Sequence, residues 1–423
     1  MKVFKFGGAS VNSLERIKNV INIISTYSQE KLVVVVSAIG KTTNALEKVA
    51  EAFYQGDQEN ALLLFENIKR SHLDTAKFLL VTEYNAAYDK LVNFFTEVEW
   101  LLHDKPVREY DYYYDQIVCV GELLSTAIVD AYLRENNIKS HWVDIRDYFR
   151  TDNNFRDAGI DWEITSLRIS GAYLPLIGEN QVVLTQGFIG ATSENESTTL
   201  GREGSDYTAA ILANLLNAES VTIWKDVEGV MNADPKAFPD AEIITELNYE
   251  EVIEMAFYGA QVIHPKTIKP LQNKGIPLYV KCFLDPSLPG TVIHNHQLKN
   301  LPPIIVVKKD QVLMHLRTLD FSFVGEKPIA ALYEMLAAAR LKANVVQSGA
   351  VSISIVMDNL QEKVQQLAIH AAEQFEVMVE TDLELLTIRH FTESALQELT
   401  NHKKIILMQR TPETVQVLFS SIK

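Results

Sequence analysis

The chain has 423 residues, 47% of them hydrophobic and 22% charged, so it can bury substantial cores and should divide into two or three domains. Its formal charge is −16, which excludes a nucleic-acid or acidic-membrane partner, because no basic excess exists to neutralise phosphodiester or lipid charge. The cysteines, Cys119 and Cys282, stand far apart in apolar or strand-like surroundings, which excludes a disulfide framework and a metal-thiolate cluster and fits a reducing cytoplasm.

The first residues form strand directly, with no basic leader and no long apolar run behind them, so a protein that is neither exported nor membrane-embedded is expected. Lys2-Val-Phe-Lys-Phe-Gly-Gly-Ala-Ser-Val11 sets Lys5, Gly7 and Gly8 at the end of a short apolar strand, where backbone N–H groups and a positive charge can meet a phosphate. The helix pattern from Leu14 (Ile17, Val20, Ile21, Ile24) places that turn at a helix N-terminus. Gly-Gly is also an ordinary turn signal, and the segment matches neither the Walker loop nor the dinucleotide fingerprint.

Further apolar, β-branched runs at Lys31–Ser37, Val182–Gln186, Val221–Trp224 and Ile276–Lys281 alternate with helix-period segments, the signature of a parallel sheet covered on both faces. The stretch from Asn44 to Leu133 is mainly helical. Within it, Val120-Gly-Glu-Leu-Leu-Ser125 puts Glu122 among apolar residues at a helix start; a partly buried carboxylate needs a cationic partner, which a substrate ammonium could be, with a helix cap as the plain alternative. Tyr110-Asp-Tyr-Tyr-Tyr-Asp115 reads as a packed helix approach or an interface.

The segment Leu184–Asp206 is a strand, a polar loop and then Gly201-Arg-Glu-Gly-Ser-Asp206, which opens a helix and forms a second anion cradle. Arg202 offers a planar fork for a carboxylate, while Ser205 and Asp206 stand at the helix start, where Asp206 could also be a simple cap. Trp224-Lys-Asp-Val-Glu-Gly-Val-Met-Asn-Ala-Asp-Pro-Lys236 runs from a strand into a loop suited to a nucleoside, with Asp226 or Asp234 accepting from ribose or adenine. A boundary is expected over residues 296–304, at Pro302-Pro303. Beyond it, strands at 304–308, 312–317, 344–348, 351–357, 376–380, 383–388, 405–408 and 415–419, with helices at 327–341, 360–375 and from Glu393, suggest two related α+β units.

Taken together, Lys5-Phe-Gly-Gly-Ala-Ser-Val11, Gly187-Phe-Ile-Gly190, Thr198–Thr208, the Lys225-Asp-Val-Glu-Gly-Val loop and Tyr258-Gly-Ala-Gln-Val-Ile-His-Pro265 resemble, in order and spacing, the aspartokinase branch of the amino-acid kinase family. The resemblance implies a three-layer αβα sandwich over 1–297 as catalytic domain, then paired ferredoxin-like ACT units over 304–423 with the second shortened. It implies transfer of the ATP γ-phosphoryl group to the side-chain carboxylate of L-aspartate, the first step toward lysine, threonine and methionine, with Mg²⁺ carried on ATP. A kinase of another small amino acid and a catalytically silent amino-acid sensor are the rival readings.

By the same resemblance, Lys5 contacts the transferring phosphoryl, Gly7, Gly8 and Ser10 cradle phosphate, and Asp206 organises the cationic groups. Arg202 grips the substrate α-carboxylate, Glu122 meets its ammonium, and Thr43, Phe188 and Ser205 complete the substrate side. Lys225, Asp226, Met231, Asp234 and Lys236 fall on the nucleotide loop. Ala9, Glu203, Met231 and Gln261 depart from the usual threonine, glycine, tyrosine and lysine; Lys266 is the candidate for the missing second cation, and His264 is structural. An amino-acid effector such as lysine or threonine is expected at the ACT region, although residues 344–352 are shortened and lack an acidic partner for lysine; a cytoplasmic homodimer or higher homo-oligomer is expected. No resident metal site is expected.

A carboxylate acceptor is ionised at neutral pH and needs no general base, so a site rich in Lys, Gly and Ser is what this chemistry requires.

Overall fold

The computed structural model describes residues 1–420 except 28, 180, 181, 299 and 321. It divides into two compact units, the first made of Met1–Val230, Ile243–Ile253 and Gln261–Gln297, the second of Met231–Glu242, Glu254–Ala260 and Leu298–Lys423. Two short segments thus partition with the C-terminal unit, a division that composition around Pro302 and Pro303 does not reveal.

The strands of the first unit are β1 (Lys2–Phe6), β2 (Leu32–Val36), β3 (Ser140–Val143), β4 (Val182–Gln186), β5 (Ile189–Ala191), β6 (Ser197–Thr199), β7 (Ser220–Lys225), β8 (Val230–Met231, at the division), β9 (Ile243–Ile244), β10 (Glu246–Asn248), β11 (Leu278–Cys282) and β12 (Thr291–His294). Eight of them build one sheet in the order β10-β12-β11-β7-β1-β2-β4-β3. Every pairing is parallel except β11 with β12. All residues of β2 and β4 are buried, which requires cover on both faces and accounts for their continuous apolar runs. β1 is flanked by β2 and β7, whose chains leave in opposite directions, so the sheet has a switch point at the carboxyl end of β1.

The helical stretch resolves into α2 (Thr42–Tyr54), α3 (Gln58–Leu79), α4 (Tyr84–His103), α5 (Tyr110–Val118) and α6 (Val120–Glu135), following α1 (Leu14–Thr26); α7 (Trp162–Arg168), α8 (Leu174–Glu179), α9 (Gly204–Leu216), α10 (Tyr249–Tyr258) and α11 (Pro265–Gln272) come after it. The run Tyr110–Glu135 is long and apolar enough to cross a membrane, but 89% of its apolar window is buried inside the protein, as in a core helix. One expectation needs correction. Gly8–Val11 forms a 3₁₀ turn, and α1 begins later, capped by the Ser13 hydroxyl, which accepts from the Arg16 N–H. The glycine turn is therefore separated from the α-helix and runs into the 3₁₀ turn.

The C-terminal unit holds a six-stranded antiparallel sheet. Its strands are β13 (Ile304–Thr318), β14 (Ala343–Ser348), β15 (Ser352–Asp358), β16 (Phe375–Arg389), β17 (Ile405–Arg410) and β18 (Thr414–Ser420), ordered β14-β15-β13-β16-β18-β17. Each of the two pairs of short strands expected at 304–317 and 376–388 is one long strand, the β13–β16 register shifting between Lys308 and Gln311 and again before Leu313. Apolar residues of β13 and β15 pack with Leu332, Leu336, Val364 and Leu367 in one core; Leu386, Ile388, Val415 and Val417 pack with Leu396 in another. The two α+β halves share one sheet, the first covered by helices Glu326–Ala338 and Gln361–Ala371, the second by Glu393–Thr400.

Candidate functional site

At the carboxyl ends of β1, β2, β4 and β7 lies a cleft of about 520 Å³. It brings together Lys5, Thr43, Glu122, Phe188, Arg202, Ser205, Asp206 and Lys225 from the expected site, and adds Ser37, Tyr114, Arg156, Gly201, Glu203 and Gly204.

Lys5 reaches Asp206, with Nζ 2.6 Å from Oδ1 and side chains 12% and 4% exposed. Asp206 is therefore no cap: it lies inside the first turn of α9 (Gly204–Leu216) and faces the lysine. The Gly7-Gly8 turn lies beside this pair. A Cβ on Gly8 would sit 2.8 Å from the Ala38 and Gly40 carbonyl oxygens, so glycine lets the turn press onto the loop after β2. Ser10 is buried and donates to the Trp224 carbonyl at 3.3 Å, tying the turn to β7. Gly7, Gly8 and Ser10 thus brace the end of β1 without lining the cleft. Lys225, at the end of β7, donates from Nζ to the Val262 carbonyl at 2.6 Å.

Glu122 is 3% exposed, in the first turn of α6. Burial pushes its carboxyl up to about 8, against the opposing pull of the Ala38 N–H and the Lys5 charge. Its Oε2 has no hydrogen-bond partner. An orphan carboxylate oxygen at the wall of a cleft is a receptor for a cation.

The α9 N-terminus is built on close approach. A Cβ on Gly187 would come within 2.4 Å of Ser205 Cβ, so only glycine lets the β4 exit touch this helix. Phe188 follows with φ 72° and donates its N–H to Thr208 Oγ1 at 3.0 Å. Glu203 takes φ 55° immediately before α9, where a glycine would be unstrained. Its Oε2 accepts from the His264 N–H at 2.9 Å, and His264 Nδ1 accepts from the Lys266 N–H at 3.2 Å, capping α11 (Pro265–Gln272). Glu203→Ala should therefore destabilise the protein by about 1–2 kcal/mol, losing this bond while keeping the strain, whereas Glu203→Gly should be near neutral. Chemical denaturation of the two variants tests the difference.

Lys266 pairs with Asp157 and does not line the cleft. Asp226 does not line it either. Met231, Asp234 and Lys236 fall in the segment that partitions with the second unit, where Asp234 Oδ1 accepts from the Lys236 N–H at 3.0 Å to close a turn. Among the described residues no group of three or more His, Cys, Asp or Glu side chains is placed to hold a metal.

A profile of the amino acid kinase family matches residues 1–282. The chain belongs to that family. Within it the similarity runs to aspartokinases. The chain is 31% identical over 359 residues to lysine-sensitive aspartokinase 3 of Escherichia coli (strain K12), covering 84% of this chain and 78% of that protein. It is 32% identical over 398 residues to chloroplastic aspartokinase 1 of Arabidopsis thaliana, covering 90% and 68%. Among solved structures it resembles E. coli aspartokinase III in complex with aspartate and ADP (R-state), with TM-score 0.79 and 28% identity over 99% of this chain and 96% of that one. It is equally similar, at TM-score 0.79 and 27% identity, to the same enzyme with lysine and aspartate (T-state), covering 99% and 95%.

Sequence reasoning missed Tyr114 and Arg156. The tyrosine run reads as a packed helix approach or an interface, and Arg156 lies in an Asp- and Asn-rich turn, Asp152–Asp157, that carries no periodic signal.

Proposed function

We infer that this cleft transfers the γ-phosphoryl group of ATP to the side-chain carboxylate of L-aspartate, giving 4-phospho-L-aspartate and ADP. The observation that carries the reading is the orphan Oε2 of buried Glu122 in the same cleft as Arg202 and the Lys5–Asp206 pair. The cleft offers a carboxylate to an ammonium, a guanidinium to an α-carboxylate and the Lys5 ammonium to phosphate. An acetylated acceptor has no ammonium for Glu122. A silent sensor has no use for Lys5 beside Asp206.

The acceptor carboxylate oxygen attacks the γ-phosphorus as the bond to the bridging oxygen of ADP breaks. Lys5 stabilises charge on the transferring group, Asp206 orients Lys5, and Arg202, Glu122, Thr43, Ser205 and Phe188 hold the amino acid in line. On the nucleotide side we assign Lys225, Asp226, Met231, Asp234 and Lys236, with Gly7, Gly8 and Ser10 shaping the phosphate turn and Lys266 as the second cation. Asp206, the carboxylate paired with Lys5, would be the residue that holds a Mg²⁺ carried in on ATP. When bound, the ion neutralises phosphate charge.

We assign the catalytic domain to 1–297 and a paired ACT-type regulatory region to 304–423, in a cytoplasmic homo-oligomer that supplies the pathway to lysine, threonine and methionine. The R- and T-state complexes of the E. coli relative support an amino-acid effector here. Titrating lysine, threonine and methionine against activity identifies it.

A coupled ADP-release assay with aspartate, glutamate and N-acetylglutamate tests the substrate reading, and only aspartate should support rapid turnover. Arg202→Ala should raise the KM for aspartate about 100-fold with little change in the KM for ATP. A change confined to ATP would overturn its role.

A further inference from the structure

Three non-glycine residues with left-handed backbone line the cleft: Phe188, Glu203 and Arg156, the last at φ 70°. Such strain persists only where the surroundings over-determine it. Around Arg156 they do. Its N–H donates to Asp115 Oδ2 at 3.0 Å. Asp115 is fully buried and also accepts from the Thr199 N–H at 2.8 Å and the Thr199 hydroxyl at 2.7 Å, so one carboxylate joins α5, the Arg156 turn and the strand leading to Arg202.

The guanidinium is anchored separately. Nη1 lies 3.2 Å from Asp111 Oδ1 and Nη2 3.5 Å from Glu47 Oε1, with Cζ 4.4 Å from the ring centre of Tyr114. Arg156 therefore straps its turn to α2 and α5. Stability does not account for it, since the side chain is 41% exposed, its ion pairs are worth little there, and the backbone strain opposes it. Nor is it a free anion receptor, because two carboxylates already balance its charge. Its partner Glu47 stands one turn beyond Thr43 on the same face of α2, which places this strap at the amino-acid end of the cleft.

We propose that Arg156 is a specificity-determining positioning residue: held on Tyr114 between Glu47 and Asp111, it walls off the amino-acid end of the cleft and limits the acceptor to a short α-amino dicarboxylate. The proposal rests on the aspartate-kinase reading above. With the wall in place, the shorter dicarboxylate is pressed toward the phosphate end, and one more methylene has no room.

The test is steady-state ADP release by wild type and Arg156→Gly, with aspartate and glutamate as acceptors. Glycine accepts the left-handed backbone, so the variant should melt no lower than wild type. The KM for aspartate should rise about ten-fold, the KM for ATP should stay within two-fold, and the kcat/KM preference for aspartate over glutamate should fall about ten-fold. The double variant Glu47→Gln/Asp111→Asn frees the guanidinium without touching its backbone and should reproduce the shift, which keeps the test decisive if Arg156→Gly folds poorly. An unchanged aspartate KM and unchanged preference in these variants overturns the proposal. Wild type that releases no ADP with aspartate overturns the aspartate-kinase reading itself, a separate failure.

Discussion

Lys5→Ala is expected to lower kcat by about 100-fold or more while the KM for aspartate stays within a few-fold of wild type. The lysine meets charge that develops on the transferring phosphoryl group, so its loss is felt in the transition state. A second effect accompanies this. Asp206 is 4% exposed and faces Lys5 at 2.6 Å, so removing the lysine strands a buried carboxylate, a change that costs about 3–5 kcal/mol. The double variant Lys5→Ala/Asp206→Asn separates the two effects: it should recover most of the stability and none of the turnover. Single-turnover kinetics and urea titrations of the three proteins check this. Normal turnover by Lys5→Ala would remove the phosphoryl-transfer assignment.

Glu122→Gln should raise the KM for aspartate about 100-fold, because an amide cannot balance a buried ammonium. The pH dependence is the sharper readout. Burial holds the Glu122 carboxyl at about 8, above its ordinary value of 4.5, so in the free enzyme it is largely protonated near neutrality. Binding the substrate ammonium requires the ionised form. The KM for aspartate should therefore fall roughly ten-fold per unit as pH rises from 6 toward 8, and the dependence should vanish in the variant. For stability the sign follows from the raised value. The contribution of the neutral carboxyl is fully present below about pH 4.5 and is lost as pH rises through about 8. Relative to Glu122→Gln, wild type should lose on the order of a few kcal/mol across that window. Thermal melts of both proteins from pH 5 to 8.5 measure the divergence.

The parallel sheet was legible because β2 and β4 are buried on both faces and read as unbroken apolar runs. The candidate residues at strand ends and helix starts were legible for a related reason: Lys5, Glu122, Arg202, Asp206 and Lys225 each follow or precede a segment whose periodicity is plain, and all line one cleft, which Phe188, expected from the resemblance alone, joins. Arg156 was not. It is placed by a left-handed turn and by Glu47, Asp111 and Asp115, residues distant in sequence, and no local pattern encodes such a meeting. Glu203 was visible as an irregular residue, but its bond to the His264 N–H spans 61 positions. The long strand β13 reads as two because Lys308, Lys309 and Asp310 interrupt its apolar residues; the structure carries the strand through a register shift there, with Asp310 in the left-handed region at φ 53°. Gly7 and Gly8 were placed correctly at the strand end, while the 3₁₀ turn that follows them lay below what helical spacing can resolve.

The unbroken course of β13 and β16 through both halves of the C-terminal sheet has a mechanical consequence. Neither half can be peeled away without tearing backbone rungs that belong to the other, so the pair should melt as one cooperative body, with amide protons near Val306 and Leu386 exchanging at the same slow rate as those near Leu316 and Val377. Each of those two ribbons thus gives the halves a continuous covalent path, with Asp310 and Asp382, at φ 53° and 59°, as the bend points along it.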